Sequence, residues 1–97
     1  MRVRFLSPAN TELDEAFSYY DHELFGLGFR FFQEVDAAVE RICLFPEGWA
    51  KIGEKTRRCR LKSFPYALLY TIEKHEIIVL ALANLHRNPD QYSDRIK

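Results

Sequence analysis

Three cationic side chains alternate along one predicted strand, and their spacing could assemble a site for anions. Arg58, Arg60 and Lys62 stand two residues apart within the segment 57–63. Because successive side chains of a β-strand point to opposite faces, all three belong to one face. The sequence has no carboxylate between residues 56 and 71 that would neutralise them. We expect this row to bind phosphate groups or an acidic segment of a protein partner.

The same cations could also take part in a reaction. Arg58 and Arg60 could hold a phosphodiester and stabilise the charge that develops when a ribose 2′-hydroxyl attacks it. His86 follows the last predicted strand beside Arg87, where an imidazole could act as general acid or base near neutral pH. Tyr92 could stack on a base or donate a proton. The structural alternatives are a solvated or partner-covered sheet face, a strand-end histidine and a packed tyrosine, and for Tyr92 we favour packing.

Composition limits the class of protein. The chain has 97 residues, zero formal net charge and 47% hydrophobic residues, which suits a single domain over residues 1–97. Balanced charge means that any contact with nucleic acid should be local. Cys43 and Cys59 lack metal-ligand spacing, and neither a secretory leader nor a membrane-length apolar run is present. We therefore expect a cytoplasmic protein with no membrane span, metal site or cofactor.

A strand and two helices are predicted in the first half of the chain. Charged and apolar residues alternate over residues 2–6, as in a strand with one buried face. Ser7 offers an N-cap oxygen and Pro8 fits the first helical position, so a first helix should run to about Leu24. After two glycines, a second helix should end before Pro46. The predicted buried stripe of this second helix is Phe29, Phe32, Val35, Val39 and Ile42. The charged residues interpreted as solvated helix faces are Asp14, Glu15, Asp21, Glu23, Asp36, Glu40 and Arg41.

Three extended segments follow in the second half. After the cationic strand come strands at 67–73 and 77–85, and the last is almost wholly apolar, as in a strand buried on both faces. Pro65 and the Lys74–His75 pair mark the reversals, so the strands form an antiparallel meander. Pro89 limits the polar C-terminal segment to a loop or one short turn. The sequence predicts an α+β fold in which a helical hairpin covers one face of a twisted sheet.

Several short motifs follow one another in a set order. They are Tyr19–Tyr20, Gly26–Leu27–Gly28 before Phe29 and Phe32, Phe45–Pro46–Glu47, Arg57–Arg58, Phe64–Pro65–Tyr66, Tyr70, and Ala83 to His86 with Arg87, Pro89, Tyr92 and Arg95. In this order and spacing they resemble the RelE/ParE superfamily of toxins from bacterial type II toxin–antitoxin systems. The resemblance covers nearly the whole chain and is greatest for the ParE-like, plasmid-stabilisation branch.

The resemblance implies a toxin that arrests growth unless a cognate antitoxin wraps its C-terminal segment over the sheet and helices. ParE-like members bind DNA gyrase and block it, whereas RelE-like members cleave mRNA in the A site of the translating ribosome. The chain lacks the lysine-rich segment that precedes the strand hairpin in RelE-like toxins, which favours gyrase binding. A degenerate member that binds its antitoxin but is no longer toxic is a third alternative.

The two activities would use overlapping residues. As a ribonuclease, the protein would use five catalytic residues, which are Arg58, Arg60, His86, Arg87 and Tyr92. As a binding protein, it would contact its target or antitoxin through Arg58, Arg60, Lys62, Arg87, Tyr92 and Arg95. Either a homodimer or a toxin–antitoxin hetero-oligomer is compatible with this pattern.

Overall fold

A helical hairpin covers one face of a four-stranded sheet in the computed structural model, which describes residues 1–97. The elements in chain order are β1 (Arg2–Phe5), α1 (Ser7–Glu23), α2 (Leu27–Leu44), β2 (Arg57–Arg60), β3 (Tyr66–Glu73), β4 (Glu76–Asn84) and a C-terminal 3₁₀ helix (Pro89–Arg95). The predicted α+β order of strand, helical hairpin and three-stranded meander is confirmed.

The sheet has β1 and β2 at its edges, in the order β1-β4-β3-β2. β2, β3 and β4 pair antiparallel, while β1 runs parallel to the first half of β4. The pairing of β1 ends where Phe5 lies opposite Val79. Beyond that point, from Leu80 to Asn84, the outer edge of β4 has no neighbouring strand. This unpaired edge leads directly to the segment that contains His86.

A β-bulge interrupts β4 close to the end of β1. Leu69 pairs with Ala81 and Tyr70 pairs with Val79, so Leu80 is an extra residue in β4. After the bulge, even-numbered instead of odd-numbered side chains of β4 face the helices. The extra residue therefore changes which backbone groups reach the unpaired edge.

The main core lies between the sheet and the helices. Its residues differ in part from the buried stripe that the sequence predicted for α2. Val35 and Ile42 are buried as predicted, but Phe29 is 60% exposed and the buried aromatic residue is Phe31. Phe31, Val35, Ala38 and Ile42 keep the spacing of one helical face. Burial of a side chain such as Phe31 contributes about 2 kcal/mol or more to stability. A smaller cluster on the opposite face of the sheet leaves β4 buried on both sides, as expected.

The helix hairpin begins and turns differently from the prediction. Ser7 is the first residue of α1 and does not cap it, because Leu6 holds the N-cap position and no side chain hydrogen-bonds there. Asp21, predicted to be solvated, accepts hydrogen bonds from the backbone N–H groups of Gly26 at 2.9 Å and Gly28 at 3.3 Å. It caps α2 from the end of α1. Gly26 has a φ of 90°, a left-handed conformation that favours glycine.

The C-terminal segment is more regular than predicted. Pro89 begins a 3₁₀ helix that continues to Arg95, so the expectation of a loop or one short turn was wrong. Proline is tolerated there because the first turn of a helix does not use its N–H. The Asn88 side chain caps this helix by accepting a hydrogen bond from the N–H of Asp90 at 2.9 Å.

Candidate functional site

A groove of about 450 Å³ lies between α1 and the unpaired edge of β4, and we call it the tyrosine groove. The side chains that give it its chemical character are Tyr19, Tyr20, Tyr66, His86, Arg87 and Tyr92. The structure thus brings together three of the four predicted site residues beyond the end of β4, whereas Arg95 does not line the groove. Its walls offer aromatic faces, phenol hydroxyls, the His86 imidazole, one guanidinium group and the carboxylates of Glu12 and Glu15.

Side chains take the place of a neighbouring strand along the unpaired edge of β4. The Leu80 carbonyl accepts a hydrogen bond from Arg95 Nη1 at 2.9 Å. The Leu82 N–H donates to Glu12 Oε1 at 3.0 Å, and the Asn84 N–H donates to the Tyr92 hydroxyl at 2.9 Å. Backbone groups that would otherwise be orphaned are satisfied from α1 and the 3₁₀ helix.

Tyr92 and Arg95 therefore have roles inside the protein. Tyr92 is 6% exposed and packs on the second hydrophobic cluster, which is the packed arrangement that we favoured. The Arg95 guanidinium lies 5.3 Å from the centre of the Tyr92 ring and makes a two-pronged ion pair with Glu12. Both residues hold the C-terminal segment against the sheet, and Tyr92 forms the floor of the groove.

His86 and Arg87 are exposed at the rim of the tyrosine groove. The His86 N–H donates to Asn84 Oδ1 at 2.9 Å, and no hydrogen bond holds its imidazole. Burial raises the pKa of Tyr66, although the nearby Arg87 acts in the opposite direction. Burial, with Tyr66 close by, raises the pKa of Tyr20 to about 12. Tyr20 and Tyr66 are therefore neutral near pH 7, and their hydroxyls can donate hydrogen bonds.

Arg58 and Arg60 lie away from the tyrosine groove. Both are exposed on β2, opposite Leu69 and Ala67 of β3, while Cys59 between them is buried as predicted. β3 separates β2 from β4, so two strand spacings, about 10 Å, lie between these arginines and β4 itself. Neither arginine lines the groove that His86 borders.

Lys62 is not part of the strand, and the prediction of a cationic strand continuing to residue 63 was wrong. β2 ends at Arg60. The Leu61 N–H still donates to the Tyr66 carbonyl of β3 at 2.9 Å, but the two N–H groups after it bind elsewhere. Lys62 and Ser63 both donate their N–H groups to Glu34 Oε1, at 3.0 and 2.9 Å. Burial acts to raise the pKa of Glu34, yet these hydrogen bonds and the nearby Arg41 hold it below its ordinary value.

A second cleft, of about 240 Å³, lies between α2 and the end of β2, and we call it the basic cleft. Arg30, Arg41 and Lys62 contribute its cations, and Glu34 is its one carboxylate. Arg41 was predicted to be solvated, but it is half-buried, donating to the Arg60 carbonyl at 3.0 Å. This cleft was not predicted from the sequence, although positions 30, 34, 37 and 41 share one face of a helix.

No group of three or more His, Cys, Asp or Glu side chains is arranged to hold a metal ion. None of the helices combines the length and apolar character that crossing a membrane requires.

Comparison with known proteins adds to this geometry. The model of a family described as the ParE toxin of type II toxin–antitoxin systems, parDE, matches residues 3–93. Among solved structures, a chain of the chromosomal ParDE toxin–antitoxin system from P. aeruginosa is similar, with a TM-score of 0.76 and 17% sequence identity. The similarity covers 88% of this chain and 96% of that chain, and at this identity it shows the fold. Comparison with curated proteins gave no match.

Proposed function

Because this chain belongs to the ParE toxin family of type II toxin–antitoxin systems, we propose that it arrests growth by binding DNA gyrase in the cytoplasm. A cognate antitoxin neutralises it by covering the surface that the target needs. The alternative, a ribosome-dependent mRNA endoribonuclease, would need its catalytic groups to meet at one phosphodiester.

The separation of Arg58 and Arg60 from His86 is the observation that supports binding over cleavage. A general base or acid must come within about 3 Å of the proton that it moves. The two arginines lie on the far edge strand, with β3 between them and β4. The imidazole of His86 has no hydrogen-bond partner that would orient it. These side chains suit a broad docking surface better than a single reaction centre.

Exposed apolar side chains support a protein partner. Five of them lie on the helical hairpin and just beyond α2, and they are Leu24, Phe25, Phe29, Leu44 and Phe45. Phe25 is 91% exposed. Leu24, Phe25 and Phe29 lie at the hairpin turn, whereas Leu44 and Phe45 lie at the far end of α2, so the exposed apolar groups form two separate areas. Exposed apolar patches mark protein interaction sites, and a toxin–antitoxin hetero-oligomer would cover them together with the tyrosine groove.

The proposal is tested by two assays on the purified protein. In the first, gyrase and relaxed plasmid are incubated with the protein, and supercoiling should stop. In the second, ribosomes programmed with a defined mRNA should leave that mRNA uncut in primer extension. Codon-specific cleavage with unaffected supercoiling would replace the proposal by the ribonuclease alternative. Inactivity in both assays would indicate a degenerate member.

A further inference from the structure

The cations of the basic cleft are spread along the length of α2 and across the cleft from it. Arg30 and Arg41 are eleven residues apart on α2, which places their backbone positions about 16 Å from each other. Lys62 lies across the cleft, in the segment after β2. The positive surface is therefore elongated, and it is built from two elements. Arg58 and Arg60 are exposed on the neighbouring edge strand, but they alternate with Cys59, which faces α2, so they lie on the other face of the sheet and do not line the cleft.

The negative charge within the cleft is already engaged. Glu34 is the one carboxylate in the lining, and its Oε1 accepts hydrogen bonds from the N–H groups of Lys62 and Ser63. Asp36 and Glu40, on the same helix, do not line the cleft. Three cations thus face one carboxylate that is bound to backbone.

Two of the cations are available to a ligand. The Arg30 and Lys62 side chains are exposed and make no hydrogen bond or ion pair within the chain. Arg41, by contrast, donates to the Arg60 carbonyl and lies 5.9 Å from the centre of the Trp49 ring. It is held in place before any ligand arrives, so the cleft has one fixed cation and two mobile ones.

The lining favours a polyanion over a folded peptide. Phe64 and Ala37 are the only apolar residues of the cleft, whereas peptide partners anchor themselves by burying aromatic and aliphatic side chains. Guanidinium groups match the geometry of phosphate oxygens. Cations spread over about 16 Å suit successive phosphates of a backbone better than one small anion.

We propose that the basic cleft binds the sugar-phosphate backbone of duplex DNA. The contact is local and independent of base sequence, because phosphates position a protein without specifying bases. The assignment of this DNA to the segment held by gyrase rests on the proposed function. If the DNA is the segment held by gyrase, the toxin would bind the gyrase–DNA complex more tightly than gyrase alone. Added salt would reduce this difference in affinity.

The test compares two double variants that lose the same charge. Arg30→Gln with Lys62→Gln removes the two available cations of the cleft. The matched control, Arg2→Gln with Lys74→Gln, removes two cations at the opposite end of the sheet, where Arg2 lies opposite Glu76 and Lys74 is in the β3–β4 turn. Thermal unfolding checks that both double variants fold. If the cleft double variant does not fold, the single variants Arg30→Gln and Lys62→Gln are measured in its place.

Binding is measured by fluorescence anisotropy with a labelled duplex of about 20 base pairs, over a range of salt concentrations. We expect the cleft variant to lose about tenfold in affinity at low salt, and its log–log salt slope to fall in magnitude by about 2. The control should keep the wild-type affinity and slope. Absent wild-type binding at about 50 mM salt, or equal losses in both variants, would overturn the inference. Tighter binding of a poly-glutamate peptide or of single-stranded RNA would also overturn it.

A second arm separates this inference from the proposed function. The affinity of the protein for gyrase is measured with and without DNA. Duplex binding through the cleft together with no affinity for gyrase would support the DNA contact and contradict the gyrase proposal. Gyrase binding that DNA does not strengthen, and that the cleft variant retains in full, would contradict the DNA contact alone.

Discussion

The Glu12 carboxylate and the Arg95 guanidinium form a two-pronged ion pair across the unpaired edge of β4, with contacts of 2.6 and 3.1 Å. Each partner also satisfies the backbone of β4, Glu12 at the Leu82 N–H and Arg95 at the Leu80 carbonyl. The pair joins α1 to the C-terminal segment at the β-bulge. The ion pair therefore fixes the position of α1, which forms one wall of the tyrosine groove, relative to the C-terminal 3₁₀ helix, which carries Tyr92 on its floor.

Loss of Arg95 should destabilise the fold strongly. Arg95→Met leaves the partly buried Glu12 carboxylate without its counter-charge and the Leu80 carbonyl without a donor, which should cost about 2–4 kcal/mol. Glu12→Gln combined with Arg95→Met should cost less than the sum of the single changes. Free energies of urea-induced unfolding provide the measurement.

The second ion pair of the chain supplies the control for this prediction. Arg4 lies 3.5 Å from Glu76, with 55% of the arginine side chain exposed. Arg4→Met should therefore cost under about 1 kcal/mol. Equal costs for Arg4→Met and Arg95→Met would show that the Glu12–Arg95 pair has no special structural role.

Two buried threonines should respond in opposite directions to the same substitution. Thr71 is 1% exposed and its hydroxyl has no hydrogen-bond partner, so Thr71→Val should raise the unfolding free energy by about 1 kcal/mol. The Thr56 hydroxyl donates to the Lys97 carbonyl oxygen at 3.1 Å and accepts from its N–H at 2.8 Å. Thr56→Val should lower stability by about 1–3 kcal/mol. Urea unfolding measures both free-energy changes. Changes of the same sign for Thr71→Val and Thr56→Val would contradict the hydrogen-bonding states described for the two hydroxyls.

The stability of the protein should fall in strongly alkaline solution. Burial raises the pKa of Tyr70 from 10.0 to about 12. Between these two values the unfolded chain has lost a proton that the folded chain keeps, so the unfolding free energy decreases as pH rises through that window. Below about pH 10 this stabilisation is fully present. Tyr20, whose pKa burial also raises to about 12, acts in the same direction.

Tyr70→Phe tests the source of this pH dependence. The variant should lose about 1 kcal/mol near neutral pH, because the Tyr70 hydroxyl donates to the Pro46 carbonyl. Above pH 10 its stability should fall less steeply than that of the wild type. Urea unfolding at several pH values measures both effects, and an unchanged slope would assign the pH dependence to other groups.

Arg58 and Arg60 should matter for the target and not for the fold. Arg58→Gln with Arg60→Gln removes two exposed cations whose side chains make no hydrogen bond within the chain. We expect the concentration that half-inhibits gyrase supercoiling to rise about tenfold, since charged rim contacts steer and orient association. The unfolding free energy should stay within about 0.5 kcal/mol of the wild type. An unchanged half-inhibitory concentration for this variant would place the gyrase contact elsewhere.

The sequence predicted those features that depend on neighbours along the chain. Hydrophobic periodicity placed two helices and four strands, and the Lys74–His75 reversal is a turn in which both residues have positive φ. Cys59 was correctly placed on the face opposite Arg58 and Arg60, because alternation in a strand is a local property.

The predictions that were wrong or missing concern features that depend on residues far apart in the sequence. The chain leaves the strand path after Leu61, where Glu34, 28 residues before Lys62, accepts hydrogen bonds from the N–H groups of Lys62 and Ser63. Glu12 and Arg95, which are 83 residues apart, form hydrogen bonds with the backbone groups at the unpaired edge of β4. In α2, aromatic residues at 29, 31 and 32 fit more than one helical stripe, and only packing against α1 and the sheet selects Phe31.

Titration of purified gyrase with the purified chain tests the central claim most directly. Calorimetry measures binding while supercoiling is assayed at the same concentrations. The account predicts saturable binding with a Kd of about 1 μM or below, and supercoiling that is lost as the complex forms. No detectable binding at about 50 μM protein, with supercoiling unaffected, would contradict it.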